Sequence, residues 1–430
     1  MKTTFRNINT YFIILYLYWI VFEWPLLSRI NNIGVINSIR SIIDLFPFFF
    51  MILNILLQKW KIKIHEIKIF IIILSILIIA AISILIEGYN FLSAVKIISV
   101  SFRYVPFLVL IRLSAPKLKD KFYKQVKIIF WIIVCLTIFE IANKSLFMKI
   151  FLPSPGIFNE SLPTIYYSKR FEISCTFINT IDFSFFIIAI SNYYIIQTKN
   201  KKKTFFIYVI SLILVFLSFS VASLLCMIIV GLFLFRKNQL FWVISIVIIA
   251  AGILSNPRIV SMMIDTSSIE SFIQISTKYS RIGYFTKLMP EFFKGNIKDI
   301  LLGMGLNNNI INRKLLGYVD LPLMLTFEEN NIKLLKDVYW IGIIITEGII
   351  VMLLYLNIFH IIYIKGKKML EIKDAKFVGL MILIILFLGL FNQVLDVKSF
   401  SFSFWVIIGI MFKQGYEKRS IENLKRKIIK

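Results

Sequence analysis

Residues 205–235 read FFIYVISLILVFLSFSVASLLCMIIVGLFLF, a run of 31 residues without a charged side chain. A helix of about 20 apolar residues already crosses the hydrocarbon core of a bilayer, so this run is too long for one ordinary crossing. Small polar residues weaken the run near Ser218, Phe219 and Ser220. The run therefore predicts two successive membrane spans, 205–219 and 220–235.

The composition of the whole chain agrees with this run. Of the 430 residues, 59% are hydrophobic and 17% are charged, whereas soluble domains have about 25% charged residues. Such a composition excludes a soluble enzyme, a disordered chain and a disulfide scaffold. We predict an all-α, polytopic integral membrane protein, one membrane domain over residues 1–430. Its twelve predicted spans are 10–27, 35–57, 67–86, 91–113, 124–143, 177–197, 205–219, 220–235, 238–254, 338–363, 376–395 and 400–412.

The distribution of Lys and Arg predicts the topology. With the N-terminus in the cytoplasm, 30 of the 49 Lys and Arg lie in cytoplasmic segments and 16 in outer segments, as the positive-inside rule requires. Both termini are therefore expected in the cytoplasm. A single helix over 205–235 would place the basic loop 364–376 outside, so the charges favour the split. The net charge of +26 then reflects membrane topology, and we expect no nucleic-acid partner.

One predicted outer loop, residues 255–337, stands apart because it has 83 residues, 10 of them basic and 8 acidic. Connections of this length are usually functional or disordered. The aromatic residues within it argue against simple disorder. A shorter outer segment, 144–176, precedes the sixth span.

Ionisable residues inside the spans are candidates for function because burying them in lipid is costly. Arg40 and Asp44 are four residues apart and are expected to pair on one helix face. Lys96 and Arg103 are seven apart on one predicted helix, where they form an anion site, extend towards the interface, or pair with Glu140.

Other charged or metal-ligating residues have simpler interpretations. Glu23 and Asp182, near the outer ends of their spans, are interpreted as solvated edge charges. Two histidines and three cysteines without CxxC spacing predict neither a metal site nor a disulfide framework.

Four sequence blocks lie in and beside the predicted outer segments, and their order and spacing together are informative. Gly303 and Gly305 on their own indicate only a turn with unusual backbone angles. The blocks are RFEISCTFIN at 170–179, SRIGYF at 280–285, LLGMGL at 301–306 and DVYWIGIIITEG at 337–348.

In this order the blocks resemble the O-antigen polymerase and ligase superfamily of membrane glycosyltransferases, the Wzy and WaaL type. The sequence departs from that pattern at Val221, where the family has Arg. It also lacks the ligase histidine, since His65 and His360 both lie on the cytoplasmic side, which favours a polymerase over a ligase.

The resemblance implies a GT-C-like polymerase in the bacterial inner membrane, with a large periplasmic loop before the tenth helix. Such an enzyme joins repeat units carried on undecaprenyl diphosphate, both donor and acceptor, for O-antigen or capsule. It uses neither a cofactor nor a metal. A chain-length regulator is a further expected partner.

The chemistry of that reaction selects the candidate residues. A leaving diphosphate requires cations, an attacking hydroxyl requires a base, and a glycan requires aromatic platforms. The candidates for diphosphate binding are Arg281, Arg170 and Arg103, and the candidates for the base are Asp337 and Glu347. The candidate aromatic platforms are Tyr284, Tyr339, Tyr166 and Tyr167. Gly303 and Gly305 are expected to form a structural turn.

Three other functions stay open. A ligase would have the same fold and a different acceptor. A repeat-unit flippase would also have about twelve spans and cationic residues in a cavity, although an 83-residue outer loop is not expected of it. A membrane protein that binds a partner through this loop is the third.

Overall fold

A computed structural model describes residues 2–30, 32–58, 63–86, 99–151, 173–177, 179–255, 289–305 and 338–429. Throughout these ranges the regular structure is helical, which confirms the all-α prediction. Within the described residues, the first ten α-helices are α1 Lys2–Leu27, α2 Ile33–Gln58, α3 Ile64–Ile86, α4 Phe107–Arg112, α5 Leu118–Ala142, α6 Lys144–Phe151, α7 Thr180–Gln197, α8 Lys201–Leu217, α9 Val221–Phe235 and α10 Gln239–Ser255. The others are α11 Met289–Phe293, α12 Ile297–Leu302, α13 Tyr339–Met369, α14 Ile372–Leu388 and α15 Lys398–Ile429.

Six of the described helices, α1, α2, α3, α5, α7 and α13, are long and apolar enough to cross a membrane. Two shorter apolar helices, α9 and α10, accompany them. The chain is therefore a multi-pass membrane protein. Most of the predicted outer loop 255–337, and most of segment 144–176, lie outside the described residues.

The burial of the helices separates the centre of the bundle from its lipid-facing edge. In the most apolar 18-residue stretch of each helix, 78% of the residues are buried in α7 and 11% in α2. The helix α7 packs against α8 and α15, and α15 also packs against α4. Large apolar side chains on α2 and α3, such as Leu56 and Leu74, are exposed. In a membrane they would contact lipid, which solvates apolar surface without cost.

The break predicted within residues 205–235 is confirmed. The helix α8 ends at Leu217 and α9 begins at Val221, with Phe219 between them at a φ of 54°. The two helices run antiparallel, since the rings of Phe205 and Phe235 lie 5.3 Å apart at their far ends. The hydroxyl of Tyr208 also donates to the carbonyl of Met227 across the pair (3.1 Å).

The prediction of one continuous helix over 91–113 is wrong for the described residues of that range, 99–113. Residues Val100–Phe102 form a single 3-10 turn, and the short helix α4 starts only after Pro106. Proline has no backbone N–H and clashes with a preceding helical turn, so the helix is interrupted there. Arg103 lies in this interruption, and Lys96 lies outside the described residues.

A second interruption lies in α13, which bends at Gly348 (φ 89°). The turn formed by Gly303 and Gly305 packs into this bend. The backbone N–H of Met304 donates to the carbonyl of Ile345 (2.8 Å), and that of Gly305 to the carbonyl of Thr346 (3.1 Å). Two blocks that the sequence singled out are thus hydrogen-bonded to each other.

Candidate functional site

Five charged residues from four elements meet at the end of the bundle that carries the predicted outer segments. We call Glu23, Arg40, Asp44, Arg103 and Lys398 the outer charge cluster. The ammonium of Lys398 lies 2.7 Å from Glu23 Oε1 and 2.7 Å from Asp44 Oδ1. Arg40 Nε lies 2.9 Å from Glu23 Oε1, and Arg103 Nη1 lies 3.1 Å from Asp44 Oδ2. One linked network therefore joins α1, α2, the interrupted segment and α15.

These contacts correct three sequence interpretations. Arg40 pairs with Glu23 of α1 and not with Asp44 on its own helix. Glu23 is buried and so is not a solvated edge charge. The partner of Arg103 is Asp44, and not Glu140. The helix-face rule finds neighbours along one helix, whereas here interhelical partners satisfy the charges.

Glu140 instead holds the short segment 173–177, the described part of the first sequence block. Its carboxylate accepts hydrogen bonds from the backbone N–H groups of Cys175 (2.8 Å) and Ser174 (3.4 Å). Burial, reinforced by the charge of Glu140, raises the pKa of the Cys175 thiol to about 12. Cys175 is fully buried, which is the environment of a structural cysteine.

A row of hydroxyl groups extends from the outer charge cluster into the bundle. Arg103 Nη2 donates to the backbone carbonyl of Asp396 (2.7 Å), whose carboxylate accepts a hydrogen bond from Ser101. The hydroxyl of Tyr339 donates to Ser101 Oγ (2.9 Å). The side chain of Tyr355 interacts with Ser101 and Tyr339.

Glu347 is electrostatically coupled to the Tyr355 end of this row, and Glu347 itself is buried. It immediately precedes Gly348, where the Gly303–Gly305 turn packs into α13. The Gly303–Gly305 turn thus positions the backbone next to the buried Glu347.

The structure brings together three of the predicted chemical residues, Arg103, Tyr339 and Glu347. It places Gly303 and Gly305 beside them as a turn, both with positive φ. Six further candidates lie outside the described residues: Arg170, Arg281, Asp337, Tyr166, Tyr167 and Tyr284. Among the residues that the structure describes, no group of His, Cys, Asp or Glu is arranged to hold a metal ion.

Sequence reasoning did not find the full membership of the outer charge cluster. The predicted topology places Lys398 in an outer loop, yet its side chain is buried (7% exposed) between two carboxylates. A single basic residue at the start of a predicted span is the only signal that the sequence offers for it. Arg40 has a side chain 29% exposed, and only its Nε is hydrogen-bonded within the described residues.

Comparison with known proteins does not assign this site. No protein-family model matches the chain, and a search of curated proteins finds no match. The resemblance to the polymerase and ligase superfamily therefore depends on the four sequence blocks alone and stays a prediction.

Proposed function

We propose that the protein is a membrane glycosyltransferase that polymerises oligosaccharide repeat units carried on undecaprenyl diphosphate. In this proposal the chain crosses the bacterial inner membrane about twelve times. Both termini are cytoplasmic, and the reaction takes place at the outer face. The product is an O-antigen, a capsule or another surface polysaccharide.

One observation carries the proposal, namely the polar network that runs from Lys398 through Arg103 to Tyr339, with the buried Glu347 acting electrostatically on the adjoining Tyr355. Placing a charged group within the membrane costs free energy, so such groups frequently mark functional sites. The residues of this network come from segments far apart in sequence, including three that were selected for their chemistry. The same network lies beside the Gly303–Gly305 turn, which belongs to the family pattern.

The reaction defines what each group would do. A hydroxyl of the acceptor attacks the anomeric carbon of the donor, the new C–O bond forms, and the bond to the lipid diphosphate breaks. A carboxylate accepts the hydroxyl proton, and cations stabilise the charge on the leaving diphosphate. Glu347 and Asp337 are our candidates for the base.

Diphosphate binding would involve Arg170 and Arg281 together with the outer charge cluster. In that cluster Arg103 is already engaged by Asp44 and by the carbonyl of Asp396. Arg103 therefore has the geometry of a positioning residue, which keeps the network in register. Arg40 is the more exposed arginine of the cluster and is the better candidate for direct contact.

A second function, transport of the lipid-linked unit across the membrane, is favoured by one observation. Both the segment around Pro106 and the helix α13 are interrupted beside buried charge, and interrupted helices frequently form ion and substrate sites in transporters.

Deletion of the chain in its source organism separates these functions. A polymerase predicts single repeat units at the cell surface and no polymer. A transporter predicts lipid-linked units retained on the cytoplasmic face. A ligase predicts long lipid-linked polymer that is not transferred, and either of the last two results would contradict the proposal.

A pair of substitutions tests the site itself. Arg103→Lys removes the planar group that joins Asp44 and the Asp396 carbonyl, so we expect the polymer yield to fall by roughly a hundredfold. The control is Arg112→Lys. Arg112 belongs to the same interrupted segment and makes a two-point contact with Glu66 (2.7 and 3.0 Å), but at the other end of the bundle.

The measurement is the length distribution of surface polysaccharide on gels, at matched amounts of protein in the membrane. The control variant should produce a normal ladder. Normal ladders from Arg103→Lys, or equal losses from both variants, would remove the outer charge cluster from the proposal.

A further inference from the structure

A large basic cavity lies at the end of the bundle opposite the outer charge cluster. Its volume is about 1100 Å³, and it is lined where α7 and α9 end and where α8, α10 and α14 begin. This end carries the positively charged connections 198–204, 236–238 and 364–376, which the positive-inside rule assigns to the cytoplasmic side. The cavity is therefore separate from the site discussed above.

The charge of the cavity has one sign. Among the residues that the structure describes, no acidic side chain lines it, while five cationic residues do: Lys199, Lys201, Arg236, Lys237 and Lys373. Asp374 follows Lys373 along the chain but does not line the cavity.

The helix ends add to this positive charge. The helix α8 begins at Lys201 and α10 at Gln239, so the positive ends of two helix dipoles meet the cavity. Cations are unfavourable at helix N-termini, and an anion bound here would relieve that repulsion.

The remaining wall is apolar and continues onto the lipid-facing surface. Phe205, Phe233 and Leu240 line the cavity, and Phe233 and Leu240 are also exposed on the outside of the bundle. The indole of Trp242 is exposed beside them and donates to the backbone carbonyl of Arg236 (3.1 Å). Exposed Trp at the level of basic residues is typical of the membrane interface.

We propose that this cavity binds an anionic phospholipid of the cytoplasmic leaflet, with the phosphate among the basic side chains. The acyl chains then lie along the exposed apolar faces of α9 and α10. Basic pockets between membrane helices on the cytoplasmic side bind anionic headgroups by this chemistry. A free phosphate would use the cations but not the apolar wall, which is why a lipid fits better. This proposal is independent of the polymerase proposal.

The test uses the full chain purified in detergent, with bound lipid counted by native mass spectrometry. The probes are dioleoylphosphatidylglycerol, dioleoylphosphatidylcholine and inorganic phosphate. The cavity variant combines Lys201→Gln, Arg236→Gln and Lys237→Gln. Lys373 is kept because its ammonium donates to the carbonyl of Ile196 (2.9 Å) and so contributes to the fold.

The control variant, Lys117→Gln, Lys124→Gln and Lys367→Gln, removes the same charge from exposed residues that do not line the cavity. We expect phosphatidylglycerol to bind the wild type and the control equally, and to bind the cavity variant about a hundredfold more weakly. Phosphatidylcholine should bind all three weakly.

Three results would overturn the proposal. They are equal affinity for the two lipids, equal phosphatidylglycerol affinity of the two variants, and displacement of the lipid by millimolar inorganic phosphate. The last would identify the cavity as a site for a soluble phosphate. Gel filtration checks that both variants are folded. If the triple variant is not folded, Arg236→Gln alone replaces it, with about a fivefold loss of phosphatidylglycerol affinity expected.

Discussion

Lys398 carries a single positive charge between two carboxylates, and its side chain is only 7% exposed. Replacing it with an uncharged residue removes a positive charge that neutralises the carboxylates of Glu23 and Asp44. We expect Lys398→Met to lower the free energy of unfolding by about 3–5 kcal/mol, because breaking a buried ion pair costs far more than the pair contributes net. Thermal melting in detergent measures this, and Lys398→Arg should recover most of the loss.

The same helix provides the control. Lys418 pairs with Glu371 at 2.6 Å, but both side chains are more than half exposed, and exposed pairs contribute little. Lys418→Met should therefore melt like the wild type. If both methionine variants melt alike, the outer charge cluster is solvated rather than buried.

Gly348 determines how two elements meet. Its φ is +89°, and a Cβ at this position would lie 2.2 Å from the carbonyl oxygen of Leu301. The Gly303–Gly305 turn cannot retreat without losing its hydrogen bonds to α13. We expect Gly348→Ala to separate the turn from the helix at a cost of at least about 1–3 kcal/mol from backbone strain alone, with loss of polymer.

Gly379 in α14 is the matched position for this test, since its added Cβ would meet only ring carbons of Tyr363, the nearer at 3.4 Å. Gly379→Ala should keep both polymer and melting temperature. Melting curves and polysaccharide gels for the two variants give the comparison. Wild-type behaviour of Gly348→Ala would mean that the bend is not needed.

The elements that the sequence predicted correctly are those with a local cause. Two serines, Ser218 and Ser220, weaken the run where it breaks, and apolar runs long enough to cross a membrane predict most of the long helices. The interruption at Pro106 also has a local cause, which the prediction of one helix over 91–113 neglected.

The partners within the outer charge cluster have no such local signal. Glu23 and Lys398 are 375 residues apart, and a periodic pattern shows which face of a helix is apolar but not which helix it meets. Spacing along a single helix therefore predicts Asp44 as the partner of Arg40. The nearby Glu23 of another helix became its partner because packing in three dimensions placed it there.

At the scale of the whole molecule, topology decides which end of the bundle faces which compartment. The polymerase proposal needs the outer charge cluster outside, and the phospholipid proposal needs the basic cavity inside. Lys298 lies in α12, within the predicted outer loop, and Lys202 lies beside the cavity. Both side chains are exposed. A cysteine at each position reports the orientation of both sites.

The native cysteines set the background for this labelling. Cys226 is buried, and Cys175 is buried with a thiol pKa of about 12. Maleimides react with the thiolate, and a raised pKa means that Cys175 stays protonated and unreactive at pH 7.5. Cys135 is exposed, so a Cys135→Ser chain should be silent towards the reagent.

In this background we expect a membrane-impermeant maleimide to label Lys298→Cys in intact cells. Lys202→Cys should be labelled only after permeabilisation, because the positive-inside rule holds the lysine-rich start of α8 in the cytoplasm. Labelling of the denatured protein confirms that each cysteine is present. The reverse pattern would invert the molecule and move the outer charge cluster to the cytoplasmic face, where a polymerase of externally displayed units could not act. Labelling of both positions in intact cells would mean that an even number of crossings separates them, and would contradict the three spans that the twelve-span topology places between them.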